Sequence, residues 1–274
     1  MNLRAYAKIN LTLDIIGKRT DNYHNIESLM QQIDLYDNIN LELIKGNRII
    51  IKCNDKKLEN ENNLAYKSAF LIKETFNIEF GIKIRISKNI PISSGLGGGS
   101  SDAAQVLKGL NQLLKLNLSN RDLIKLGEEI GSDVPFQIVG GCCLVSGKGE
   151  IVERIYNIPQ FFVIIINPGF EIKTSEAYSD INLNEVGKKN ATRKIIKQFN
   201  PELLHNDFED SILRKYPDIK KIKDMLIKNK ALNALLCGSG ASVFGIFDDE
   251  TKAKKAYKNT KELFPFVYLG KTIK

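Results

Sequence analysis

Ile90-Pro91-Ile92-Ser93-Ser94-Gly95-Leu96-Gly97-Gly98-Gly99-Ser100-Ser101-Asp102-Ala103-Ala104 is the stretch on which the reading of this 274-residue chain turns. Four glycines within five positions let the backbone bend sharply and approach a ligand closely, because no Cβ blocks positive φ or crowds a polyanion. Upstream, Phe80 to Ile86 alternates with period two and reads as a strand. Downstream, Ala103 to Leu116 sets Val106, Leu107, Leu110, Leu113 and Leu114 on one helical face. Strand, glycine loop and helix follow one another, so the amides that open the helix would point at an anion and the helix dipole would reinforce them. No Gly-Lys-Ser/Thr follows the glycines, which excludes a Walker loop. The long Pro-Ile-Ser-Ser lead-in and the lack of regular βαβ alternation argue against a dinucleotide fingerprint.

Outward from the loop, the N-terminal part reads as β-rich. Strands are predicted at Leu3 to Ile16, Asn25 to Ile33, Asp37 to Leu43 and Arg48 to Lys52, with a turn over residues 17–22. Asn62 and Asn63 precede a helix from Leu64 to Phe76, and Ser119 with Asp122 has the form of a capping box opening a helix that stops near Gly131. Strands return at Cys142 to Ser146 and Phe161 to Asn167. Helices follow at Thr174 to Ile181, Lys188 to Phe199 and Pro217 to Asn229. Two strands, Ala231 to Leu236 and Ser242 to Phe247, flank a second glycine turn. A helix from Asp249 to Leu263 and a strand from Phe266 to Gly270 close the chain. This order is α+β. A division into two lobes is placed within residues 150–159, giving lobes 1–154 and 155–274.

With 43% hydrophobic and 26% charged residues the chain reads as globular. Its net charge of +8 suits anionic partners in general. Lys220, Lys221, Lys223, Lys228 and Lys230 read as a solvated helix face, and no aromatic-studded basic strand or recognition helix points to nucleic acid. Cys53, Cys142, Cys143 and Cys237 show neither metal-ligand nor disulfide spacing, which fits reduced thiols in a cytoplasm. The first residues carry Arg4, Lys8 and Asp14 without a signal-type apolar core, and Phe161 to Ile166 is too short to span a bilayer. A cytoplasmic protein, monomer or homodimer, bound to neither membrane nor nucleic acid, is expected.

Three further places could carry chemistry. Lys8 and Asn10 share one face of the first strand, either as the solvent face of an edge strand or as a fixed charge beside a phosphoryl acceptor. Asp133, in Gly131-Ser132-Asp133-Val134-Pro135, reads either as the cap of a short helix or as a rigid carboxylate able to take a hydroxyl proton during phosphoryl transfer. Gly238-Ser239-Gly240 suits a close backbone approach or a hairpin.

Pro91 to Ala104 and the later Gly238-Ser239-Gly240-Ala241 resemble the central and third motifs of the GHMP kinases. Ala7-Lys8-Ile9-Asn10-Leu11, residues 17–24, residues 131–135 and Asn206-Asp207-Phe208-Glu209 narrow the resemblance to members that phosphorylate a cytidine-diphosphate conjugate of methylerythritol, and it covers nearly the whole chain. It implies a two-lobed α+β GHMP kinase fold with the active site in the cleft between lobes. It also implies ATP with Mg²⁺ as cosubstrate and a small-molecule acceptor from non-mevalonate isoprenoid synthesis. Carried over by residue, Lys8 and Asp133 match the catalytic pair. Pro91, Gly95, Leu96, Gly97, Gly98, Gly99, Ser100 and Ser101 match the ATP-phosphate loop. Asn10 matches a residue that orients the acceptor, and Gly238, Ser239 and Gly240 fall on the substrate side. His24 matches the residue that hydrogen-bonds cytosine. Tyr23 and Tyr178 match aromatic faces against the base, although Ser175 stands where many relatives have proline. Asp102, an acid in the first helical turn, is read as structural and pointing aside, with no dedicated metal ligands assigned.

Overall fold

The computed structural model describes residues 1–21, 23–181, 186–187 and 189–274. Its strands are β1 Asn2–Lys18, β2 His24–Ile44, β3 Ile49–Cys53, β4 Gly81–Ser87, β5 Cys142–Gly147, β6 Ile151–Arg154, β7 Phe162–Asn167, β8 His205–Asn206, β9 Asn233–Leu236, β10 Val243–Phe247 and β11 Phe266–Lys271. Its helices are α1 Leu64–Phe76, α2 Gly98–Leu113, α3 Asn120–Ile130, α4 Val134–Val139, α5 Thr174–Ser179, α6 Ala191–Lys197, α7 Glu209–Lys215, α8 Pro217–Lys228 and α9 Glu250–Thr260. The α+β class read from the sequence is the class observed. Residues 22 and 188, within the predicted turn and at the predicted start of a helix, lie outside the described residues.

The chain forms two compact units of interleaved segments. The first comprises Met1–Ala7, Leu35–Ile90 and Gly97–Gly140. In it, β4 pairs antiparallel with the second half of β2, Leu41 facing Ile84, and parallel with β3, Ile51 facing Ile84. Ile82, Ile84 and Ile86 turn one strand face onto Ala65, Ala69, Ile72, Ala103, Ala104, Leu107 and Leu110 of α1 and α2, while Val134 and Ile138 close the cluster from α4. The alanines let these helices lie close together. Asn63 caps α1 by accepting from the Ala65 amide at 2.9 Å, and Ser119 and Asp122 form the reciprocal cap of α3.

The second unit comprises Lys8–Asp34, Pro91–Leu96 and Gly141–Lys274. The first half of β2 pairs antiparallel with β5, which pairs with β6, and β1 pairs parallel with the two-residue β8 through Thr12 and Leu13. A separate antiparallel sheet runs β11-β7-β10-β9. Its apolar faces, with Val163 to Ile166 and Val243 to Phe247 buried, are covered by Ile219, Ile222 and Leu226 of α8 and by Ala253 and Ala256 of α9.

Two departures from the sequence reading bear on the site. The strands predicted at Asn25 to Ile33 and Asp37 to Leu43 are one 21-residue strand, because the acids between them have partners within the fold. Asp34 Oδ1 accepts from the Lys271 amide at 2.8 Å, and Asp37 Oδ1 from the amides of Asn89 and Ile90 at 2.6 and 2.9 Å. The glycine-loop helix starts five residues before the predicted Ala103, at Gly98, so the last two glycines are its first turn. A Cβ on Gly98 would lie 3.0 Å from Ile90 Cγ2 and 3.1 Å from Lys88 Nζ, so only a bare backbone continues the helix there at that separation.

Candidate active site

Lys8 is not on a solvent face. It is 4% exposed on β1, and its ammonium donates to Asn10 Oδ1 at 2.8 Å. Asn10 Nδ2 donates to Ser28 Oγ at 2.8 Å, and that hydroxyl donates to Thr12 O at 2.6 Å. A buried lysine with a fixed amide partner is a positioned charge, since desolvating an ammonium without such partners is costly. The second glycine turn lies against it: a Cβ on Gly238 would stand 3.3 Å from Lys8 Nζ and 3.5 Å from Asn10 Oδ1.

The start of the glycine loop is bound into the same unit. The Lys8 amide donates to Leu96 O at 2.9 Å and the Ser242 amide to Ser94 O at 3.2 Å. Ser94 Oγ donates to Pro91 O at 2.6 Å. Gly95, at φ +79°, passes so near the second glycine turn that a Cβ would fall 1.8 Å from Cys237 O. Asn206 holds that turn by donating to Leu236 O and Gly238 O at 3.0 and 2.7 Å, and Thr174 Oγ1 lies 3.1 Å from Ser239 Oγ. Gly240 occupies positive φ there.

In the first unit Gly97, at φ +67°, caps α2, and Gly98, Gly99, Ser100 and Ser101 form its first turn with no acidic residue among them. That bare N-terminus fits a polyphosphate. Asp133 precedes α4 and is half-buried. It is the N-cap residue of α4, its carbonyl accepting the Gln137 amide at 3.1 Å, but its side chain makes no capping bond to the helix. Asp102 is 3% exposed and bound to Lys88 Nζ at 2.8 Å, which agrees with a structural acid turned from the loop.

On the second unit the rings of His24 and Tyr178 stack, with centroids 4.7 Å apart and 17° between planes, and Phe208 meets Tyr178 edge-on at 4.8 Å. Burial and the nearby Lys18 charge hold His24 below the usual imidazole range, which keeps one ring nitrogen a donor and the other an acceptor at neutral pH. Tyr23 is 54% exposed, with Lys148 Nζ 5.5 Å from its ring centroid.

Among the described residues Asp14, His205 and Asp207 group with metal-like spacing. Their oxygens are already used: Asp14 accepts from the amides of Ala191 and Thr192, and Asp207 from His205 and the amides of Ile15 and Gly187. These bonds fasten α6 and β8 to β1. Sequence reasoning missed Ser28, Thr174 and the hold of Asn206 on the second glycine turn, although Asn206 stands in a quoted motif.

The buried lysine and the joined glycine turns belong to the second unit, and the bare N-terminus of α2 to the first. The N-terminal domain model of the GHMP kinases matches residues 63–141 and their C-terminal model matches residues 189–265. A homoserine kinase structure from Cytophaga hutchinsonii shares the fold, with TM-score 0.77 at 18% identity, over 99% of this chain and 94% of that one. The chain belongs to the GHMP kinases. Within them its relatives are named 4-diphosphocytidyl-2-C-methyl-D-erythritol kinase. That of Caldicellulosiruptor saccharolyticus is 43% identical over 99% of this chain and 97% of its own, and that of Clostridium tetani is 43% identical over the whole of both. A crystal structure of 4-(cytidine 5'-diphospho)-2C-methyl-D-erythritol kinase superposes with TM-score 0.85 at 27% identity, covering 99% of each chain.

Proposed function

We propose that this chain transfers the γ-phosphate of ATP to a hydroxyl of 4-diphosphocytidyl-2-C-methyl-D-erythritol, giving the 2-phosphate and ADP, in non-mevalonate isoprenoid synthesis. The full-length relatives carry that name at 43% identity. The observation that carries the reading is the buried chain Lys8–Asn10–Ser28 against the Gly238 turn, a positioned cation with a fixed polar neighbour.

The mechanism is direct transfer. Asp133 takes the proton of the attacking hydroxyl. Lys8 stabilises negative charge on that oxygen, and Asn10 orients the acceptor. Because the transition state is loose, placing these groups matters more than their basicity. Gly95 to Ser101, behind Pro91, cradle the polyphosphate with backbone amides. Mg²⁺ would enter with the nucleotide and neutralise part of its charge, consistent with its preference for phosphate and water ligands. Gly238, Ser239 and Gly240 face the acceptor. His24 pairs with the cytosine edge, while Tyr23 and Tyr178 supply aromatic faces, each such stack being worth about 1–3 kcal/mol. The two family models fall on either side of the expected boundary at 154/155, although the compact units interleave, residues 8–34 and 91–96 grouping with 141–274. No helix among the described residues is long and apolar enough to cross a membrane.

Phosphorus NMR of the product tests the reaction. A new monoester resonance beside an intact diphosphate is expected. A cleaved diphosphate, or no monoester, overturns the reading.

A further inference from the structure

Beneath the first turn of α2 lies a charge cluster that the mechanism does not use. Lys88, just past β4, sends its ammonium to Asp37 of β2 and, at 2.8 Å, to Asp102 of α2. The side chains of Lys88, Asp37 and Asp102 are 8%, 0% and 4% exposed. One cation therefore serves two buried carboxylates, and they are not equally served. Asp37 also accepts the amides of Asn89 and Ile90. Asp102 faces Lys88 and the Asp37 carboxyl but accepts no backbone amide, and its Oδ1 is buried without a hydrogen-bond partner among the described residues. Ser101 Oγ, next along the turn, is also buried and unpartnered among those residues. Lys88 Nζ lies 3.1 Å from where a Gly98 Cβ would stand, so the cluster sits directly under the phosphate-facing amides.

We propose that Asp102 is a positioning residue for the nucleotide, taking up a proton from solvent as the ATP polyphosphate docks on the α2 turn, so that Lys88 then balances Asp37 alone. The proposal rests on the reading of Gly97 to Ser101 as the phosphate cradle. With both carboxylates ionised the cluster carries a net negative charge one turn below a polyanion, in a setting where burial weakens screening. With Asp102 protonated the cluster is neutral, and its new O–H supplies a donor where the site now holds two unpartnered oxygens. Burial raises the free Asp102 carboxyl to about 7 against the opposing pull of Lys88, so the proton is available near neutral pH. Lys88 stays charged, because Asp102 and Asp37 outweigh its burial. The half-buried Cys53 thiol at the end of β3 also senses Asp102. Packed against α2, α1 contributes Ala65 and Ala69 to the buried cluster and α4 contributes Val134 and Ile138.

Calorimetry of Mg·ATP binding to the folded protein, repeated in buffers of different ionisation enthalpy, counts protons taken up. The wild type is expected to take up about half a proton at pH 7 and close to one at pH 8, with Kd rising up to about tenfold from pH 7 to 8.5. Asp102→Asn, which carries no such proton, is expected to lose that increment and flatten the pH dependence. The nucleotide's own ionisation is common to both proteins and cancels. Should Asp102→Asn fail to fold, an infrared difference spectrum of the wild type decides, with a protonated-carboxyl C=O band gained on ATP addition. ATP binding with equal proton uptake in both proteins, or without that band, overturns the proposal and leaves the cradle standing. No ATP binding at all overturns both.

Discussion

Gly95→Ala is the sharpest test of how the two glycine turns are joined. Gly95 sits at φ +79°, and an alanine Cβ would lie 1.8 Å from Cys237 O and 2.8 Å from its carbonyl carbon. Left-handed backbone costs an L-residue about 1–2 kcal/mol. The overlap is with backbone, so no rotamer change relieves it, and overpacking of this kind costs about 1–3 kcal/mol. Stiffening of the unfolded chain by alanine returns about 0.4–1 kcal/mol. The net loss is about 1–5 kcal/mol, a substantial part of the roughly 5–15 kcal/mol that holds a domain folded. Urea denaturation followed by circular dichroism measures it. Gly99→Ala is the control, because Gly99 has a helical place in α2 and its Cβ would meet only Leu64 Cδ1 at 3.6 Å. It should leave stability unchanged or raise it by up to about 1 kcal/mol. Gly95→Ala within about 0.5 kcal/mol of wild type would refute the close passage of the loops.

Four further outcomes follow from the site. Asn10→Ala removes the acceptor of Lys8 and the donor to Ser28, and should cost about 1–3 kcal/mol in urea melts together with a fall in kcat, the loss of buried hydrogen bonds being the cause. His24→Ala should raise KM for the cytidylyl acceptor while leaving KM for ATP unchanged, and equal changes in both would remove His24 from base recognition. Asp207 is held below the usual carboxylate range: burial opposes this, but hydrogen bonds from His205 and the amides of Ile15 and Gly187 outweigh it. Its contribution is therefore full above the unfolded value near pH 4 and is lost as pH falls through the lower folded value. Asp207→Asn should destabilise at pH 7, and by an amount that shrinks as pH falls below about 4 in thermal melts. Burial lifts the Cys142 and Cys143 thiols to about 12, so alkylation at pH 8 followed by mass spectrometry should mark the half-buried Cys53 and spare both.

Periodic and capped segments were legible in the sequence. The helix predicted from Leu64 to Phe76 has those ends, because an asparagine stands at each: Asn63 bonds the first turn and Asn77 takes the left-handed backbone that stops the last. The Ser119–Asp122 box is likewise local chemistry. Short elements were not legible. β8 has two residues and α7 seven, and both gain their hold from partners distant in sequence, as when Glu209 Oε1 accepts the Leu236 amide. Acids read as strand ends were misleading for the same reason, since Asp34 and Asp37 are satisfied by residues 268–271 and 88–90. Alternation along β1 put Lys8 and Asn10 on one face but could not tell whether that face was wet or buried. Lys88 passed unnoticed because its partners lie 51 and 14 residues away.

The central claim is tested most directly by ADP release from the purified protein with Mg·ATP, in parallel with 4-diphosphocytidyl-2-C-methyl-D-erythritol, mevalonate and homoserine. Turnover with the cytidylyl compound alone is predicted, and its loss by at least about a hundredfold in a folded Asp133→Asn protein would accompany it. Turnover with mevalonate or homoserine instead would contradict the substrate, and silence with all three would contradict the kinase.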